Sequence, residues 1–161
     1  MQTIFSIEGY VEKTLYDKNM NVIYKDDNCN SLVNLGRVNI LKLIGGSLSW
    51  ASPALDTIEV GKAVMKIGSG GDLEIDDIEL NELKSEAGLL SVNLIEEEFS
   101  IKLHTKFNSH DVDAMVNELG MFMRIGEDDT MFAKHNYEEM DLTAANHYTL
   151  AVDWTFRFKT Y

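Results

Sequence analysis

The chain predicts a mainly β domain, a β-sandwich or barrel-like fold with one main α-helix at about 31–44 and an extended acidic arm at about 69–86. Three observations carry that expectation. His147–Tyr161 alternates, with Tyr148, Leu150, Val152, Trp154, Phe156 and Phe158 on one face and Thr149, Asp153, Thr155, Arg157 and Lys159 on the other. A period of two over that length is a strand with one packed and one solvated side. Further short runs of β-branched and aromatic residues recur between turn formers, and only one segment carries a long helical apolar stripe. With 161 residues, 45% of them hydrophobic, residues 1–161 are expected to form one domain, which at this size buries roughly 70% of the surface its unfolded chain exposes.

Taken in order, Thr3–Tyr16 reads as the first strand and Val22-Ile23-Tyr24 opens the second, which runs out at Lys25-Asp26-Asp27-Asn28. Asp17-Lys18-Asn19-Met20-Asn21 between them supplies turn residues, so the two form a hairpin. The helix comes next. Asn30 or Ser31 can cap its first turn, and Leu32, Val33, Ile40, Leu41, Leu43 and Ile44 cover about half its circumference. Gly36 falls inside that arc, where a missing side chain lets a strand come close, and Gly45-Gly46 end the helix. Arg37 sits at the edge of the arc and is expected in a structural salt bridge.

Ser47–Asp56 reads as loop and Ile58–Ile67 as strand, broken by Gly68-Ser69-Gly70-Gly71. Asp72–Glu86 is acidic, with a partly helical pattern in Ile75, Ile78, Leu80 and Leu83, and reads as an arm with a short helix. Strands follow at Leu89–Ile95, Glu98–Phe107, Asn117–Ile125 and Met131–Tyr137, with a hairpin turn at Gly126-Glu127-Asp128-Asp129, before the closing strand. Many short strands with a single good helix point to a sandwich or barrel.

Composition narrows the function. The net charge is −13, from 27 acidic and 14 basic residues, and such a surface repels phosphates, so specific nucleic-acid binding is not expected. It also suits a surface past which DNA slides without sticking. No run approaches the ~20 apolar residues of a membrane span, and the opening Gln2-Thr3-Ile4-Phe5 carries no signal-peptide pattern. The single Cys29 leaves no internal disulfide to form and reads as a passive thiol rather than a nucleophile.

Catalytic, cofactor and metal sites are all expected to be none. Gly68-Ser69-Gly70-Gly71 lacks the Lys-Ser/Thr of a phosphate loop and is followed by the repulsive Asp72, so it reads as a turn. Asp72, Glu74, Asp76, Asp77 and Glu79 offer oxygen ligands but miss the glycine and glutamate positions of a calcium loop. His104, His110, His135 and His147 show no paired ligand spacing and read as surface residues, His110 with Asp111 and Asp113 in a turn after Asn108-Ser109. No nucleophile elbow or triad context appears, so the chain reads as non-enzymatic. The aromatic face of the last strand, Trp154 included, reads as core rather than as a ligand platform.

Three segments together resemble small tailed-bacteriophage virion structural proteins. Asn30-Ser31-Leu32-Val33-Asn34-Leu35-Gly36-Arg37 is similar to their "N-x-L-V-x-x-G-R" helix opening. Ala63-Val64-Met65-Lys66-Ile67-Gly68-Ser69-Gly70, with Leu80 and Glu82 downstream, is similar to "I-A-L-G-T-G … L-x-x-E". Asn117–Phe122, Met131–Lys134 and Leu150–Phe156 resemble "I-x-E-I-G-L-F … L-F-A-R … L-x-V-x-W-T-I". The order and approximate spacing match from Asn30 onward; Ser69 replaces the usual threonine, Lys66 the usual apolar residue, and the acidic segment is longer.

The resemblance implies a tail, neck, baseplate or fibre-attachment component with no catalytic residues and no cofactor. The expected function is a neck or tail ring, collar or adaptor subunit, present in the virion after assembly in the host bacterial cytoplasm. Its expected partners are other virion proteins (tail, neck or portal-proximal components) and copies of itself, joined head to tail through edge strands and loops. DNA would pass near an acidic surface without specific binding, and no membrane is involved. The alternative is a fibre-anchoring or receptor- or carbohydrate-binding module of the tail or capsid, which would need an exposed aromatic cluster including Trp50 of the Ser47–Asp56 loop.

Overall fold

The computed structural model describes residues 5–32, 36, 63–72, 74, 77–125 and 128–160. Among these, nine strands run in sequence: β1 (Phe5–Tyr16), β2 (Val22–Leu32), β3 (Ala63–Ser69), β4 (Glu82–Gly88), β5 (Ser91–Ile95), β6 (Ser100–Asn108), β7 (Ala114–Ile125), β8 (Asp128–Leu142) and β9 (Thr149–Thr160). The short helix α1 (Ser109–Val112), two single 3-10 turns, Glu96–Glu98 and Ala144–Asn146, and the helical residue Gly36 are the other regular structure among the described residues. The spatial order is β4-β3-β7-β8-β2-β1-β9-β6-β5, and every adjacent pair is antiparallel.

Strand β2 belongs to two sheets. Its residues up to Asn30 pair with β1, whereas Ser31 and Leu32 pair with Lys134 and Ala133 of β8. The first sheet is therefore β2-β1-β9-β6-β5, and the second is the end of β2 with β8, β7, β3 and β4. The β1–β2 hairpin forms as expected. Asp17 Oδ1 accepts from the N–H groups of Asn19 at 2.7 Å and Asn21 at 2.9 Å, an Asx turn that leaves Met20 at φ 65°.

Two expectations change. The helix expected at about 31–44 does not start at its cap residues, because Ser31 and Leu32 close β2 and give their backbone to β8. Of the rest of that segment only Gly36 is described; it is helical and buried. A Cβ there would stand 2.1 Å from the Phe132 carbonyl oxygen, so the bare backbone is what lets β8 approach.

The second change concerns the acidic arm expected at about 69–86. Ser69 ends β3, and Glu82–Gly88 is an edge strand paired with β3. Residues 77–81 carry no helix: Leu80 is buried while Ile78 and Leu83 are exposed, the in–out sequence of a chain laid along a sheet. Asp77 N–H closes a single turn by donating to Glu74 O at 3.2 Å, and the last two N–H groups go to a side chain of β7. Asn81 N–H and Glu82 N–H donate to Glu118 Oε1 at 2.9 and 3.3 Å.

One core joins the two sheets. Val11, Leu103, Val152 and Trp154 of the first sheet belong to the same buried cluster as Ile67, Leu119, Met121 and Leu142 of the second. Phe132 meets Phe156 edge to face across the sheets at 5.3 Å, a geometry worth about 0.5–1.5 kcal/mol beyond the buried area. The closing strand keeps its expected inward face from Leu150 to Phe156, but Phe158 is 49% exposed because the strand runs past the core. The far face of the second sheet buries a smaller cluster of Val64, Leu80, Phe122 and Met131.

Candidate functional site

Part of the resemblance motifs, Val64, Leu80, Glu118, Phe122, Met131 and Lys134, meets on that far face, whereas Leu150–Phe156 packs in the core between the sheets. Successive strand residues alternate sides, so Glu118 and Phe122 of β7, Val64 of β3 and Lys134 of β8 point away from the first sheet. Lys134 Nζ lies 3.0 Å from Glu118 Oε2, with both side chains fully buried, and 2.8 Å from Asp77 Oδ2. Burial disfavours the Lys134 ammonium, yet the hydrogen bonds to Asp77 and Glu118 outweigh it, and its pKa is raised. Asp77 is likewise penalised by burial, but Lys134 holds its carboxyl below the usual carboxylate range.

Glu118 is saturated. Besides Lys134 it accepts from the Asn81 and Glu82 N–H groups and from Asn81 Nδ2 at 3.3 Å. These donors fill the acceptor positions of both buried oxygens. Gly68 stands directly above, where a Cβ would lie 2.4 Å from the Glu82 carbonyl oxygen and 3.1 Å from Glu118 Oε1. Next to it the Asn117 amide mimics a strand partner: Nδ2 donates to Gly70 O at 2.9 Å and Oδ1 accepts from Gly70 N–H at 2.8 Å. Asn136 Nδ2 donates to Gly71 O. The glycine turn is therefore held by two asparagines and offers no free amide cradle at Gly70.

A second buried polar group lies between the sheets. Lys13 of β1 is fully buried; it donates to His135 Nε2 of β8 at 2.8 Å and pairs with Asp26 Oδ2 of β2 at 3.1 Å. Its ammonium sits 4.8 Å over the Tyr137 ring, which stacks on His135. An ammonium has no lone pair, so Nε2 must accept and the imidazole is neutral. Burial, then the Lys13 charge, push the His135 pKa down to about 4. Burial lowers the Lys13 pKa against the pull of Asp26. The expectation that His135 is a surface residue is thus corrected: alternation in β8 turns it inward, where Lys13 satisfies it.

The outer face of the first sheet is polar. Asp153 takes Lys102 at 3.3 Å and His104 Nδ1 at 2.9 Å, Glu12 takes Lys25 at 3.2 Å, and Arg157 pairs with Glu98. A shallow depression of about 420 Å³ lies over Tyr10, Asn28, Lys102, Asp153 and Arg157. Cys29 is a free, exposed thiol on β2. Asp72, Glu74 and Glu79 are exposed, while Asp76, Arg37 and Trp50 lie outside the described residues. Among the described residues no group of three or more His, Cys, Asp or Glu converges as metal ligands.

Apolar residues gather at the two margins of this same sheet. At the β2 side Met20, Val22, Ile23 and Tyr24 are exposed, and at the β5 side Leu90, Leu94, Phe99 and Phe158 are exposed. Along β2 the second edge is paired, among the described residues, only at Ser31 and Leu32. Five strands at ~4.8 Å spacing put the two margins roughly 19 Å apart. No family model, no characterised protein and no solved structure matches this chain.

Proposed function

We propose that the chain is a non-enzymatic structural subunit of a tailed-bacteriophage virion, a neck or tail ring, collar or adaptor component folded as a β-sandwich. The observation that carries this reading is the packing of residues from several of the resemblance motifs around the second sheet. Val64, Leu80, Phe122 and Met131 form one cluster, Glu118 and Lys134 pair beside it, and Gly36 and Gly68 allow the close approaches to Phe132 and Glu82. Residues from separate motifs thus support the packing of the second sheet, as expected of a scaffold signature.

The two apolar margins of the first sheet supply the means of assembly. Apolar residues beside unpaired strand edges are sites for adding another chain, and contacts between two different patches propagate head to tail into a ring or filament. The second reading, a fibre-anchoring or receptor- or carbohydrate-binding module, is favoured by the polar depression over Tyr10, Asn28, Asp153 and Arg157.

Mass spectrometry and reconstruction of particles released from cells that carry this coding sequence test the proposal. The expected result is the chain in purified virions, in a symmetric set of copies at the neck or tail. Its absence from the particles overturns the reading, and a location at the fibre tip transfers support to the alternative. In light scattering at rising concentration, Ile23→Glu and Leu94→Glu should each suppress self-association while leaving the melting temperature unchanged.

A further inference from the structure

We propose that His110 and His147 form a surface site for a divalent transition-metal ion of the zinc, copper or nickel type. The two residues are 37 positions apart, yet His110 Nε2 lies 3.2 Å from His147 Nδ1. Their ring centroids are 5.1 Å apart and the planes are tilted by 57°. With metal–nitrogen bonds of about 2.0–2.1 Å, nitrogens at this separation subtend about 100° at a shared ion, close to a tetrahedral angle. Imidazoles aimed at such an ion would have centroids about 5 Å apart, which is what the pair shows.

The backbone beneath is latched from both sides. Ser109, at the start of α1, is buried; its N–H donates to Tyr148 O at 2.9 Å, and its Oγ accepts from Tyr148 N–H at 3.1 Å. Thr149 Oγ1 donates to Asn108 Oδ1 at 3.2 Å, and Ala144 N–H donates to Asp113 Oδ1 at 2.8 Å. His147 ends the 3-10 turn in the left-handed region at φ 53°. The segments bearing both imidazoles are thus held in place before any ligand arrives, which lowers the ordering cost of binding.

Without metal the two nitrogens share one proton in an N–H···N bond. On binding, the ion takes both lone pairs, and the ring that donated carries its proton on its other nitrogen instead. Both rings are exposed, so water completes the coordination. Imidazole ligands favour zinc, copper and nickel over magnesium and calcium. The bound ion would tie the β6–α1 corner to the segment entering β9, stabilising the folded chain by mass action.

Calorimetric titration and thermal melting of the full chain with Zn2+, against Mg2+, test the site. The expected result is one Zn2+ per chain and a melting temperature raised by several degrees, with no response to Mg2+. His110→Gln and His147→Asn should each abolish both responses while melting like the parent chain without metal; asparagine is chosen at 147 because it tolerates the positive φ. Cys29→Ser should leave the response intact. No Zn2+ response, a response that survives in His110→Gln, or one lost in Cys29→Ser overturns the proposal. If His147→Asn fails to fold, the exposed His110→Gln alone decides.

Discussion

Lys134 Nζ meets Glu118 Oε2 at 3.0 Å with neither side chain reaching solvent. Asp77 and the Asn81 and Glu82 N–H groups complete the set. The pair therefore holds the 77–82 segment against the second sheet. Replacing both partners by apolar groups need not cost stability, but removing one leaves a buried charge without its counter-ion.

Lys134→Met is accordingly expected to destabilise the fold by about 3–5 kcal/mol. The double variant Lys134→Met/Glu118→Gln should recover part of that loss, because the orphaned carboxylate is gone. Urea unfolding of the two single variants and the double variant gives the coupling. An additive result would show that the two residues act independently.

Acid is expected to weaken the junction of Lys13 and His135 before it reaches the carboxylates. The His135 pKa falls from 6.5 to about 4 on folding, so between those values the unfolded chain binds more protons than the folded one. Stability is fully present above about pH 6.5 and declines as pH drops toward 4, by at most roughly 3 kcal/mol. The depressed Asp26 and Asp77 contribute only at lower pH still. Unfolding midpoints across pH 4–7 measure the slope, and His135→Gln should flatten it.

Two glycine substitutions should differ in sign. At Gly36 a Cβ meets the Phe132 carbonyl at 2.1 Å, whereas at Gly88 nothing lies within 4 Å. Gly36→Ala must push β8 or its own segment aside and should cost about 1–3 kcal/mol. Gly88→Ala should be neutral or stabilising by up to about 1 kcal/mol, through the smaller entropy of the unfolded chain. Thermal melts of the two variants provide the comparison.

Asp153→Asn on the outer face should change stability by less than about 1 kcal/mol. Its partners Lys102 and His104 are partly solvated, so water replaces what the carboxylate supplied. Raising the salt concentration should reduce the difference between parent and variant further. A loss as large as that of Lys134→Met would contradict the distinction between solvated and buried pairs.

Much of the architecture was legible in local patterns. Leu150, Val152, Trp154 and Phe156 face inward because a period of two leaves no other way to bury them. The Asp17–Asn21 turn was legible because an aspartate side chain closes it locally. Strand β4 was missed because Glu82-Leu83-Lys84-Ser85-Glu86 forms an edge strand with mostly exposed side chains, whose charges mask the pairing. The burial of His135 and Lys13 was hidden for the opposite reason: each is a polar residue in an alternating strand, acceptable inside only because the other is there.

By itself, the sequence determined a mainly β chain, its hairpin, the inward face of its closing strand, and one glycine, Gly36, that marks a close approach. Those features follow from side-chain period and backbone sterics, which act over a few residues. Only the tertiary structure decided that Glu118 finds Lys134, that Lys13 finds His135, and that His110 stands 3.2 Å from His147. Such pairs join residues far apart in the chain, and strand register, the packing of the two sheets and the corners at strand ends bring them within reach. Alternation specifies which face a residue takes; register and sheet packing specify whom it meets there.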